Sequence, residues 1–261
     1  MNLQSFCDMM ERIAPKAYAM EGDRIGLLIG TERKEIRRVL VALDLTAPVT
    51  REAIDGDFDL VLTHHPIFWE PVTSMDPYRY ETAAAFQLIR HNIGMFAAHT
   101  NLDAAPGGVN DSLAALLGLV RVRPLPPENL GRIGELPKPM RFSKFVVLCE
   151  SRLHAAAHTV GNHNDTVQTI GMIGGAGGGE IAIAKAANCD VFVTGEMKHH
   201  EALEAEYLGM HCCVLGHYET ENIVLAPLIN RLQKEKSDVQ YKLTQSGKAP
   251  MPCPQGGNRY E

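Results

Sequence analysis

The chain has 261 residues, 45% hydrophobic and 21% charged, which is enough for one large domain or two modest ones with cores of their own. That composition excludes a disordered, collagen-like or coiled-coil protein. With 25 Lys+Arg against 31 Asp+Glu the net charge is −6, and no basic run is long enough to follow a phosphate backbone, so no nucleic-acid polymer is expected as a partner.

The first residues place Leu3, Phe6, Met10 and Ile13 on one face of a short amphipathic helix. Acids stand where a signal peptide needs a basic flank, and no run approaches the roughly 20 apolar residues that cross a bilayer. The expectation is a cytoplasmic protein with no membrane partner. The six cysteines, Cys7, Cys149, Cys189, Cys212, Cys213 and Cys253, lack zinc-finger or disulfide-framework spacing and read as reduced core thiols.

Strands are expected at Arg38–Leu43, Leu60–Thr63, Gly94–Ala98 and Val191–Thr194, with helices at Pro48–Asp55 and Tyr80–Asn92 between the first three. This alternation predicts an α/β fold whose strands are buried on both faces and collect functional groups at their carboxyl ends. A helix at Asp111–Leu119 precedes the proline cluster Arg123–Pro127, where a domain boundary is placed. Beyond it the pattern predicts a strand at Phe142–Cys149, a helix at Arg152–Gly161 and a strand at Thr166–Ile173. The predicted organisation is therefore two α/β domains, the first discontinuous: 1–125 with 206–245, then 126–205, and a loose tail over 246–261.

Three segments carry candidate metal-ligating groups. In Leu62-Thr-His-His-Pro66 two consecutive imidazoles stand where a strand ends; they read either as loop histidines or as ligands splayed toward two neighbouring ions. In Ala97-Ala-His-Thr-Asn-Leu-Asp103 the same strand-end placement holds for His99, while Asp103 suits either a turn or a ligand. Adjacent parallel strands would deliver His64, His65, His99 and Asp103 to one crevice. In Gly216-His-Tyr-Glu-Thr-Glu221, His217 and Glu221 share a helix face at i and i+4, although acids in a first turn also suit the helix dipole. His, His, Asp, His and Glu together make a nitrogen–oxygen set suited to zinc, iron, manganese or nickel and poorly suited to calcium.

Other motifs are weaker. Ile173-Gly-Gly-Ala-Gly-Gly-Gly-Glu180 satisfies neither the Rossmann nor the Walker pattern and reads as a tight turn permitting close strand–helix packing. Glu196, Lys198, His199 and His200 either line the same cleft or lie on the surface, and His154 and His158 are expected on a helix face. No GxSxG elbow appears.

The quoted segments resemble those of the Nif-three-like proteins, also called GTP cyclohydrolase I type 2 homologues, in the short form without an inserted middle domain. The resemblance runs from the N-terminal helix to about Leu232, through THHP at 63–66, HTNLD at 99–103, GGAGGGE at 174–180, TGEMKHH at 194–200 and GHYETE at 216–221. It implies a centre of two divalent metal ions per subunit, with His64, His65, Asp103, His217 and Glu221 as ligands, Glu221 bridging and His99 beside the metals. His99 and Glu221 are the implied catalytic residues. It further implies a homohexamer, a trimer of dimers with the sites facing an internal cavity. The implied activity is hydrolysis of a small-molecule substrate, a purine nucleotide such as GTP or a phosphoester; the alternative is a metal-binding regulatory or interaction protein without turnover. One motif departs from the family: Gly22-Asp-Arg-Ile-Gly-Leu27 carries Arg24 where Asn is usual.

Overall fold

The structure is a computed structural model that describes residues 1–251. Two compact units emerge, one built from 1–106 with 225–248 and the other on 107–224. In chain order the first supplies helix α1 (Leu3–Ile13), strands β1 (Gly26–Ile29) and β2 (Arg38–Ala42), α2 (Ala47–Asp55), β3 (Leu60–Thr63), α3 (Tyr80–Arg90), β4 (Gly94–Ala97) and α4 (Thr100–Ala104). The second supplies α5 (Val109–Leu116), β5 (Val120–Pro124), β6 (Arg132–Arg141), α6 (Phe142–Leu153), β7 (His158–Val160), β8 (Thr166–Ile173), α7 (Ile181–Ala186), β9 (Val191–Thr194), α8 (His199–Tyr207), β10 (His211–Val214) and α9 (His217–Glu221). The chain then returns to the first unit with α10 (Leu225–Glu235) and β11 (Gln240–Leu243).

The first unit holds a five-stranded sheet in the order β1-β4-β3-β2-β11, parallel except for β1. Every residue of β3 and β4 is buried, as an apolar strand covered on both faces requires. Its helices follow from local chemistry. Asn2 caps α1 by accepting the Ser5 N–H, and the buried face Phe6, Met9, Met10 and Ile13 keeps helical spacing. Thr46 caps α2 in the same way, with Pro48 in the first turn.

The second unit holds a six-stranded sheet in the order β5-β6-β8-β9-β10-β7, in which β8, β9 and β10 are parallel neighbours. Here the expected boundaries are corrected. Strand β5, assigned to the first domain, pairs with β6, and β10, also assigned there, pairs with β9 and β7. The proline cluster opens the β5–β6 connection rather than separating domains. Phe142–Cys149 is a helix, not a strand: Phe142, Phe145, Val146, Cys149 and Leu153 recur at helical spacing and form its buried face. The expected helix at Arg152–Gly161 gives way at His154, which adopts a left-handed conformation and ends α6; His158 then opens β7. Neither His154 nor His158 lies on a helix face as expected, and both are exposed.

The expected loose tail begins with an anchored residue, since the Gln245 and Ser246 N–H groups donate to the Glu52 carboxylate. Its last part, 252–261 with Cys253, lies outside the described residues. Among the described residues no helix is long and apolar enough to cross a membrane.

Candidate metal centre

In the first unit, three parallel strands end side by side and each is followed by polar groups: Asp44 after β2, His64 and His65 after β3, His99 after β4. One ligand atom from each of the three imidazoles lies within 4.8 Å of the other two. In every ring Nδ1 faces an oxygen: His64 at 2.9 Å from the Ala98 carbonyl, His65 at 2.7 Å from Asp44 Oδ1, and His99 at 2.9 Å from Asp23 Oδ1. A carbonyl or carboxylate oxygen can only accept, so Nδ1 carries the proton and donates. The lone pair of each neutral ring is thereby fixed on Nε2, as in imidazoles that ligate metals through Nε2. Asp103, on α4, brings Oδ1 to 3.5 Å from His64 Nε2, and both side chains are buried.

Asp23 is tied further to the start of α4 by the Thr100 N–H and hydroxyl. Burial acts to raise its carboxyl pKa, but the hydrogen bonds from His99 and Thr100 outweigh burial and hold it well below the ordinary range. The residue before the unusual Arg24 is thus the one that orients His99. Trp69 completes the cluster, with ring centroids 5.3 Å from His99 and 6.1 Å from His65.

In the second unit the same logic recurs at the carboxyl ends of β8, β9 and β10, which lead into Gly174-Gly175, Gly195-Glu196 and Gly216-His217. Helix α9 starts at His217, so its side chain and that of Glu221 do share a face, with Nε2 3.0 Å from Glu221 Oε2. Glu196 Oε1 stands 3.2 Å from His217 Nδ1, repeating the carboxylate–imidazole arrangement of the first unit. Two ligand atoms each about 2.1 Å from one ion would stand a little over 3 Å apart, so the His217–Glu221 spacing suits a metal as well as a hydrogen bond.

The glycine run seats this pair. A Cβ on Gly175 would fall 2.0 Å from Glu221 Oε1, and one on Gly195 2.6 Å from Thr220 Oγ1. Backbone N–H groups of the run are committed to side chains: Gly174 donates to Asn110 Oδ1, Gly175 to Thr220 Oγ1 and Gly177 to Thr194 Oγ1. A phosphate cradle needs such donors pointing outward. The close-packing turn expected from the sequence is what these contacts describe.

Within the first unit, then, the structure brings together His64, His65, His99 and Asp103, and within the second His217 and Glu221. Glu196 joins His217, Lys198 pairs at 3.9 Å with Glu201, and His199 and His200 are exposed at the start of α8. Burial pushes Cys189 up to about 11 and Cys212 up to about 12, which leaves them as inert thiols. Sequence reasoning missed Asp44, Trp69 and the role of Asp23. Asp44 carried the same signal as the histidines, a polar residue just past a buried strand.

The family Duf34/NIF3 (NGG1p interacting factor 3) matches residues 1–250. A Clostridium perfringens GTP cyclohydrolase 1 type 2 homolog is 29% identical, over 96% of this chain and 98% of its own. The NIF3-like protein 1 of Drosophila melanogaster is 30% identical over 81% of this chain and 75% of its own. Among solved structures, a Staphylococcus aureus hypothetical protein superposes with a TM-score of 0.89 at 28% identity, covering 96% of this chain and 98% of that one. Reduced HcgD from Methanocaldococcus jannaschii gives 0.80 at 28%, covering 94% and 98%.

Proposed function

We propose, for a chain that belongs to the Duf34/NIF3 family, that it is a metal-dependent hydrolase acting on a purine nucleotide or a phosphoester. In this reading His64, His65 and Asp103 of the first unit and His217 and Glu221 of the second hold two divalent metal ions per chain. The observation that carries it is the orientation of the imidazoles: three rings, each with Nδ1 held by an oxygen, crowd their ligand atoms within 4.8 Å. A purely structural cluster has no need to fix every ring in the same tautomer. The donor set fits zinc, iron, manganese or nickel. Relatives bearing the name GTP cyclohydrolase 1 type 2 homolog support the choice of a nucleotide.

Divalent ions held by these residues would supply Lewis acidity and would lower the pKa of a water to about 7. The chain's own residues do the rest. His99, with Nδ1–H anchored on Asp23, keeps Nε2 able to accept a proton and later return it, and the carboxylate behind it stabilises the imidazolium. Asp44 and Glu196 hold the rings of His65 and His217 in place. Glu221, gripped against Gly175, keeps its carboxylate in a fixed position. The protein on this reading is a cytoplasmic homohexamer, a trimer of dimers.

The test is turnover. Metal-loaded chain should release formate from GTP, or phosphate from a panel of esters, and lose that activity on chelation and in His99→Ala. Tight metal binding with no turnover against either class would instead favour a regulatory metal-binding protein.

A further inference from the structure

The chain has a single tryptophan, and the fold leaves it outside the core. Trp69 is 59% exposed, while Ile67 and Phe68 immediately before it pack against the core of the first unit. Residues 64–79, between β3 and α3, contain neither helix nor strand. Connections of that length in a compact unit are commonly binding loops or lids. Both ends of this one are pinned: His64 and His65 donate N–H groups to the Ala42 and Leu43 carbonyls, and at the far end Asp76 exchanges hydrogen bonds with Thr82 of α3. The indole is therefore positioned, and its position is beside His99 and His65, at 5.3 and 6.1 Å between ring centroids.

An open indole beside a cluster of imidazoles offers a π-face and an apolar wall next to a group of nitrogen donors. It adds no ligand atom for metal and no proton-transfer group, so its contribution must be contact with what enters. Flat heteroaromatic rings are the ligands that gain most from such a wall, because stacking needs a face and no particular pattern of hydrogen bonds. We propose that Trp69 is the stacking wall for the base of a nucleotide substrate and so a specificity-determining residue of the site. The proposal rests on reading the imidazole cluster as a hydrolytic metal centre.

Because Trp69 is the only tryptophan, emission excited to the red of tyrosine absorption reports on it alone. The zinc-loaded protein is titrated with guanosine 5′-monophosphate and, separately, with ribose 5-phosphate, which lacks the base. The nucleotide should quench the emission saturably and ribose 5-phosphate should not. By equilibrium dialysis, Trp69→Leu should bind the nucleotide about tenfold more weakly, whereas Trp69→Phe, which keeps a π-face, should stay within about threefold of the parent. Zinc content should be unchanged in both variants. Absence of nucleotide binding, equal quenching by ribose 5-phosphate, or unaltered affinity in Trp69→Leu overturns the proposal. So does an emission maximum that shifts with protein concentration, as it would if the loop with its exposed Tyr78 and Tyr80 packed against a second copy. The two readings fail separately. Nucleotide stacking without turnover refutes only the hydrolase, and metal-dependent turnover indifferent to Trp69 refutes only the stacking wall.

Discussion

Gly175→Ala and Gly209→Ala form a matched pair that separates the metal role of the glycine run from its backbone role. Both glycines lie in the second unit with left-handed backbones, φ +65° and +60°. An alanine at either position pays roughly 1–2 kcal/mol for that conformation, which lowers the melting temperature by roughly 3–6 °C. The surroundings then differ. Nothing lies within 4 Å of a Cβ on Gly209, whereas a Cβ on Gly175 would meet Glu221 Oε1 at 2.0 Å and His217 Nε2 at 3.2 Å. Contact at 2.0 Å cannot persist, and the atom able to give way is the end of a flexible side chain. The Glu221 carboxylate should therefore move while the backbone survives. Melting should be lowered by similar amounts in the two variants, but zinc affinity should fall by more than about tenfold in Gly175→Ala only. Differential scanning calorimetry and competition with a chromophoric chelator read the two quantities. Parental zinc affinity in Gly175→Ala, or an equal loss in Gly209→Ala, would refute the assignment of Glu221 as a ligand held by the glycine run.

Asp44→Asn, which weakens the grip on His65 Nδ1, should lower metal affinity by about 10–100-fold with little change in melting. His154→Ala, at the exposed end of α6, should leave metal content at the parental level; a loss there would show that the histidines have been divided wrongly. Glu52 sets a pH prediction away from the metal ligands. Burial acts to raise its pKa, but hydrogen bonds from the Thr244 hydroxyl and the Gln245 and Ser246 N–H groups outweigh burial and lower it from its ordinary 4.5. A carboxyl lowered in the folded state stabilises above its unfolded pKa and loses that contribution as the pH falls toward the folded one. The melting gap between parent and Glu52→Gln should accordingly stay constant from about pH 7 to about pH 5.5 and narrow below about pH 4.5; a gap that widens in acid contradicts the account. Size-exclusion chromatography with light scattering should give six chains per particle, and a monomer would remove the hexamer from the proposal.

Whereas the fourth parallel strand of the first unit, β11, alternates polar and apolar residues over Gln240–Leu243 and escaped, strands β2, β3 and β4 were legible because each is a short apolar run followed at once by polar residues. The same pattern exposed His64, His65 and His99, and applied consistently to Leu43-Asp44 it reaches Asp44 as well. What escaped were elements whose residues answer to distant partners. Strand β5 is exposed along its whole length, so no burial pattern marks it, and its pairing with β6 is what places it in the second unit. Phe142–Cys149 misled because its β-branched and aromatic composition suggests a strand while its spacing is helical; burial of the face Phe142, Phe145, Val146 and Cys149 decided between them. The shared face of His217 and Glu221 was legible in their i, i+4 spacing, but the requirement for glycine at 175 depends on a contact across 46 positions of sequence and leaves no local trace. Asp23 was visible only as the neighbour of Arg24, since its bond to His99 joins an N-terminal loop to the end of β4.

The most direct test of the metal centre is the zinc stoichiometry of the full chain, measured after reconstitution and gel filtration for the parent, His64→Ala and His217→Ala. Two ions per chain are expected in the parent and a clear loss in each variant, although the two residues belong to different units. A parent that retains no ion, or variants that both retain the parental content, would contradict it.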